Sequence, residues 1–168
     1  IFEYGSGYST LYWANRCKSL TSIENSKRWY DKMRTEMPSP VDYRLCADKD
    51  AYIYSIQKSP KMYDLIVIDG SHRYACAREA LKKLKETGFI ILDNSESLNH
   101  TSALLREKGL IEVDMSGFGP INDYTWITSF FFSRKVELKP LVVRQPVCGI
   151  GGAYRVENAL RWEGEQGV

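Results

Sequence analysis

Asp64-Leu65-Ile66-Val67-Ile68-Asp69 is an unbroken apolar run closed by an acid at each end, and its reading decides the fold. A strand with no polar alternation has to be covered on both faces, which is the situation of a central strand in a parallel sheet. Beyond it, Tyr74, Ala77, Leu81 and Leu84 recur at helical spacing and predict a helix from Arg73 to Thr87. Glu79 and Lys83 stand four residues apart as a solvent-side pair, and Gly88 reads as the helix stop. Phe89 to Leu92 is then a fifth strand, ending in Asp93-Asn94.

Upstream, the same strand–turn–helix unit repeats. Ile1 to Tyr4 is a short strand running into Gly5-Ser6-Gly7, with Ser9 and Thr10 placed to cap a helix reaching about Cys17. Leu20 to Glu24 is a second strand, and Ser26 caps a helix carrying Trp29 and Met33 one turn apart. Val41 to Cys46 is a third strand, followed by a helix with Tyr52, Ile53 and Ile56. Downstream, a helix from about Thr101 to Lys108 precedes strands at Leu110–Met115 and Ile127–Ser133. The aromatic join between those two, Gly117 to Trp126, is too short for a helical crossover, so they pair antiparallel. The expected fold is α/β: a doubly wound, mostly parallel, Rossmann-like sheet of seven strands with an antiparallel last strand.

The 168 residues are 43% apolar and 26% charged with a net charge of +2, an ordinary globular balance that makes no electrostatic case for nucleic acid. No run is long enough to cross a membrane. The four cysteines are scattered without a CxxC pair, which excludes a zinc ribbon and points to a reducing, cytoplasmic setting. Ile1-Phe2-Glu3 reads as a strand already under way, so a domain over residues 1–134 truncated at its N-terminus is expected, with 135–168 as a C-terminal extension. That extension, holding Gly149-Ile150-Gly151-Gly152, has the length to reach a partner subunit in a homo-oligomer or to lie along its own.

Glycines between the first strand and the first helix let the backbone approach a ligand, and the helix start offers unpaired N–H groups to it. Glu24 closes the second strand nineteen residues after Gly5 (24 − 5), where a carboxylate can accept both hydroxyl protons of a ribose. A dinucleotide site wants a third small residue where Thr10 stands. Glu3, just before the glycines, suits a cationic amino-acid-bearing ligand better than a pyrophosphate, and Asp48 after the third strand can accept from an adenine amino group.

On Glu3-Tyr4-Gly5-Ser6-Gly7 with Ser9-Thr10 behind it, on Glu24, Asp48 and Ile68-Asp69-Gly70-Ser71-His72, the chain resembles the class I S-adenosylmethionine-dependent methyltransferases over roughly residues 1–134. The resemblance implies S-adenosyl-L-methionine as cofactor. Glu3, Gly5, Gly7 and Ser9 would then lie on the methionine side, Glu24 on the ribose, Asp48 toward adenine, with Asp69 on the cofactor edge.

Asp69 with Asp93 and Asn94 is also similar to the Asp…Asp-Asn site of cation-dependent small-molecule O-methyltransferases, where Mg²⁺ would hold the acceptor hydroxyl. The plainer alternative leaves Asp69 to the cofactor and makes Asp93-Asn94 a turn. Where related enzymes often carry a lysine base, His72 stands here. It can take the acceptor proton, or simply cap the helix beginning near Arg73. His100 sits in a capping context and reads as structural, and Phe118, Tyr124 and Trp126 are candidates for an acceptor-pocket wall. The expected activity is methyl transfer to a hydroxyl of a small molecule. Two rivals remain: an NAD-binding oxidoreductase, and a non-catalytic binding module of the same fold.

Overall fold

The computed structural model describes residues 1–119 and 123–139, so the C-terminal extension from residue 140 onward, with its glycine run, lies outside the described residues. Ile1–Glu137 form one compact unit. Its elements are β1 (Phe2–Tyr4), α1 (Tyr8–Ala14), β2 (Leu20–Glu24), α2 (Lys27–Met33), β3 (Val41–Leu45) and α3 (Lys49–Ile53), which tightens into a 3-10 turn over Tyr54–Lys58. They continue as β4 (Tyr63–Ile68), α4 (Arg73–Ala80), β5 (Leu84–Leu92), a 3-10 turn (Ser95–Ser97), α5 (Asn99–Glu107), β6 (Ile111–Phe118) and β7 (Thr125–Phe132).

The seven strands lie in the order β3-β2-β1-β4-β5-β7-β6. β1 to β5 pair in parallel, and β7 runs antiparallel to both β5 and β6. The direction of winding reverses between β1 and β4, the position at which open α/β sheets leave a crevice at their C-terminal edge.

The apolar run in β4 behaves as its composition requires. Ile66 and Ile68 point with Phe2, Tyr4, Ile90 and Leu92 into a core closed by Tyr52, Cys76, Ala77, Ala80 and Leu105. Leu65 and Val67 face the other way with Ile91, against Trp13 of α1, Phe89 and Phe130. Both faces are covered, and β4 is therefore the spine of the sheet.

Helix α4 ends at Ala80 instead of Thr87. The Tyr63 N–H donates to the Lys83 carbonyl at 2.8 Å, so the chain is already pairing with β4 where helical spacing still ran on. Sheet pairing overrides local helix preference there. Gly88 is no helix stop. It lies within β5 beside a register shift between Tyr63 and Leu65, and a Cβ on it would stand 2.9 Å from the Asp64 carbonyl. Glu79 is buried and ion-paired with Lys82 at 2.7 Å, while Lys83 donates instead to the Ser59 carbonyl. Ser9 and Thr10 fall inside α1, whose N-cap is Gly7. No described helix is long and apolar enough to cross a membrane. Cys17, Cys46 and Cys76 are free thiols.

Candidate functional site

Tyr4 pairs with Ile23 on one side and Ile68 on the other, so Gly5, Glu24 and Asp69 emerge at one level of the sheet's C-terminal edge. Gly5 has φ +87°, a left-handed conformation that a side chain resists. A Cβ there would lie 2.7 Å from the Asp69 carbonyl and from the Gly70 Cα, and one on Gly70 would strike the Tyr52 hydroxyl. β1 and β4 thus meet backbone to backbone at the reversal point. Gly7 faces open space, with nothing nearer to its missing Cβ than Ser9 Oγ at 4.0 Å.

The loop's own N–H groups are already committed. Gly5 N donates to the Ile23 carbonyl at 2.9 Å, Ser6 N to Glu24 Oε2 at 3.1 Å, and Gly7 N to Thr10 Oγ1 at 2.9 Å. A pyrophosphate needs free backbone donors at such a turn, and this one has spent all three. Thr10, at the position where a dinucleotide site wants a small residue, is the side chain that consumes the third.

Glu3 does not line the crevice. It is fully buried on the α1 side of β1, and its carboxylate accepts from Ser9 Oγ at 2.8 Å, Thr10 Oγ1 at 2.5 Å and Ser22 Oγ at 2.6 Å. Burial pushes its pKa up, and the three hydroxyl donors oppose the rise. Its role is to lock the start of α1, with Ser9, against β1 and β2. The sequence reading that set it beside the ligand is corrected by this parity: Phe2 and Tyr4 face one layer, Glu3 the other.

Glu24 is 6% exposed and holds four hydrogen bonds: Ser6 N and Oγ on one oxygen, Asn25 N and Ser26 N on the other. Only the Ser6 hydroxyl, at 3.0 Å, can turn away without breaking backbone geometry. Ser6 Oγ also lies 2.7 Å from the Tyr43 hydroxyl, and the Trp29 indole N–H donates to the Ser6 carbonyl at 2.7 Å. Asn25 Nδ2 reaches Ser71 Oγ at 3.0 Å, linking the end of β2 to the turn after β4. Asp48 is exposed at the start of α3, its Oδ1 accepting from Ala51 N at 2.8 Å as an N-cap.

At the ends of β4 and β5, Asp69, Asp93 and Asn94 do converge, but on the guanidinium of Arg73. Its Nη2 lies 3.2 Å from Asp69 Oδ1 and 3.4 Å from Asn94 Oδ1, its Nε donates to the Gly70 carbonyl at 2.8 Å, and its Nη1 bonds the Asp93 carbonyl. Asp93 Oδ1 also accepts from Thr128. The place a divalent ion would take holds a fixed cation already, so this donor set does not fit Mg²⁺ as it stands. Among the described residues, no group of three or more His, Cys, Asp or Glu side chains is arranged to hold a metal.

Burial and the neighbouring Asp93 push the Asp69 carboxyl up to about 7, against the pull of Arg73. His72 and Asn94 both adopt left-handed backbone conformations, φ 56° and 49°, at the two strand ends. Such strain persists where surrounding structure enforces it and concentrates at functional edges. His72 holds the N-cap position of α4 through its carbonyl, which accepts from Cys76 N at 3.0 Å, while its side chain makes no capping bond and is exposed.

Next to it opens a cavity of about 670 Å³ between the starts of α4 and α5, walled by His72, Arg73, Tyr74, Asn99, His100 and neighbours. Phe118, Tyr124 and Trp126 are not among its walls. Ser6, Asn25, Trp29, Tyr43 and Arg73 were not singled out from sequence. Arg73 alone left a signal there, as a cation four residues after an acid at a strand end.

Solved structures share this architecture. The O-methyltransferase from Bacillus cereus, in complex with SAH, matches with a TM-score of 0.67 at 18% identity over 79% of this chain and 73% of that one. TomG, an O-methyltransferase from Streptomyces achromogenes involved in tomaymycin synthesis and solved with SAM, gives 0.65 at 13% identity over 79% and 72%. The N-methyltransferase NodS from Bradyrhizobium japonicum WM9 gives 0.59 at 20% identity over 79% and 84%. No family model and no curated protein matches the sequence. At these identities the likeness establishes the Rossmann-like methyltransferase fold.

Proposed function

We propose that this chain transfers a methyl group from S-adenosylmethionine to a hydroxyl of a small molecule, without a divalent cation. The observation that carries the cofactor choice is the saturated glycine turn. With the N–H groups of Gly5, Ser6 and Gly7 all satisfied internally, the crevice favours a nucleoside without phosphates over a dinucleotide. The solved relatives in fold that hold SAH or SAM support the same choice.

In this reading Gly5 and Gly7 let the ligand approach the turn, and Ser9 shapes it through Glu3. Glu24 takes the ribose hydroxyls after the Ser6 hydroxyl rotates away. Asp48, at the N-cap of α3 after the third strand, is assigned to the adenine. The cofactor supplies a methyl on a sulfonium, already a good leaving group. The protein's part is alignment and proton removal. His72, exposed and lining the cavity, takes the acceptor's proton. Asp69 and Arg73 hold the strand-four turn that carries it.

A melting-temperature comparison tests the cofactor: S-adenosylhomocysteine should raise it and NAD⁺ should not, because only a ligand of the native state stabilises. A rise with NAD⁺ alone would reverse the assignment to an oxidoreductase. Binding without turnover across a broad acceptor panel would instead favour a binding module.

A further inference from the structure

We infer that Ser6 and Tyr43 form a reversible hydroxyl relay that opens Glu24 to a ribose, with Tyr43 the positioning residue toward which Ser6 turns its proton. The inference rests on the methyltransferase reading and deepens it by naming what must move before the cofactor is held.

The Glu24 carboxylate is full. Its Oε2 accepts from the Ser6 N–H at 3.1 Å and the Ser6 hydroxyl at 3.0 Å, and its Oε1 from Asn25 N at 2.9 Å and Ser26 N at 2.8 Å. Two donors on each oxygen use all of a carboxylate's lone-pair sites. A ribose hydroxyl can enter only by displacing one of them. Three of the four are backbone N–H groups, and the turn that carries the first is pinned further by the Trp29 indole on the Ser6 carbonyl. The Ser6 hydroxyl is the one donor able to leave.

Leaving is costly for a half-buried hydroxyl with nowhere else to donate. Ser6 Oγ, however, also stands 2.7 Å from the Tyr43 hydroxyl. A serine hydroxyl carries a single proton. While that proton points at Glu24, Tyr43 has to be the donor in the Ser6–Tyr43 bond. When it turns to Tyr43 Oη, the phenol's own proton turns away from Ser6, and the bond survives with its direction reversed. No proton changes owner, and one lone pair of Glu24 Oε2 is released for the ribose.

Tyr43 is held in place for this exchange. It lies on β3, in register with Ser22 of β2, and its ring stacks on Tyr30 of α2 with centroids 4.6 Å apart and planes 27° from parallel. The stack fixes the ring, so the phenol oxygen stays within reach of Ser6 in both states. Among the described residues Ser6 is the only hydrogen-bond partner of the Tyr43 hydroxyl, so the phenol proton can swing without breaking a second bond.

Calorimetry with S-adenosylhomocysteine on the full chain, on Ser6→Ala, on Tyr43→Phe and on the double variant tests the relay. Tyr43→Phe keeps the ring but removes the acceptor, and should weaken binding about tenfold, the scale of one net hydrogen bond. Ser6→Ala leaves a standing vacancy on Glu24 and should bind at least as tightly as wild type. In that background Tyr43→Phe should change affinity by less than about twofold, because the hydroxyl it serves is gone. The relay is overturned by Tyr43→Phe binding within about twofold of wild type, by an equal loss with and without the Ser6 hydroxyl, or by Ser6→Ala alone binding more than about twofold weaker. A wild-type chain that does not bind S-adenosylhomocysteine is a separate result and sinks the cofactor reading instead.

Discussion

Arg73 Nη2 stands 3.2 Å from Asp69 Oδ1, one helical turn past the strand whose end that carboxylate marks. The same guanidinium reaches the Gly70 and Asp93 carbonyls and the Asn94 side chain, so one side chain binds the ends of β4 and β5 together. Its charge does locally what a divalent ion would do among these oxygens.

Methyl transfer should therefore survive exhaustive chelation. Rates measured with EDTA and with added Mg²⁺ should agree within about twofold. Activity lost on chelation and restored by Mg²⁺ would show that Arg73 gives way to an ion.

Asp69 makes stability depend on pH in a defined direction. Its carboxyl rises from an ordinary 3.8 to about 7, so between those values the folded chain holds a proton that the unfolded chain has released. Stability should then fall as pH climbs through that window and level off above it. The side chain keeps 38% of its surface exposed, so solvent screening limits the size of the effect. Melting curves at pH 4.5 and 7.5 on wild type and Asp69→Asn read it out, and an identical slope in both proteins would refute the assignment.

Glu3→Gln should weaken the fold by about 1–3 kcal/mol, because the buried Thr10 and Ser22 hydroxyls and the half-buried Ser9 hydroxyl lose a shared carboxyl acceptor. Urea unfolding measures this. A variant as stable as wild type would mean the Ser9, Thr10 and Ser22 hydroxyls find other partners.

Gly5→Ala is expected to cost about 1–3 kcal/mol through its left-handed backbone, with a further penalty where the new methyl meets the Asp69 carbonyl. S-adenosylhomocysteine binding should be lost with it. Calorimetry showing wild-type affinity would place the cofactor elsewhere.

His72→Ala should lower kcat by about 10²- to 10⁴-fold with S-adenosylhomocysteine affinity intact, as removal of a proton acceptor does. A rate within twofold of wild type would leave the acceptor proton to water or another group.

The sheet was legible because its signals were redundant. The acid-bounded run of β4 and the short aromatic join before β7 each constrained the topology without help from the other. The end of α4 was not, because its helical spacing runs on into residues that pair with Tyr63, and a long-range hydrogen bond leaves no local mark. Site residues divided along the same line. Gly5, Glu24 and Asp69 stand at strand ends, where topology alone sets the position. Glu3 misled because one residue of strand parity separates crevice from core, and Arg73 was missed because its significance lies in partners at two different strand ends.

The bond from the Trp29 indole to the Ser6 carbonyl gives the glycine turn a built-in chromophore. A ligand that rotates the Ser6 hydroxyl off Glu24 also disturbs the carbonyl of the same residue, and with it the polarity felt by the excited indole. Titration of the unlabelled protein can therefore be followed by emission wavelength, with Trp29→Phe as the silent control.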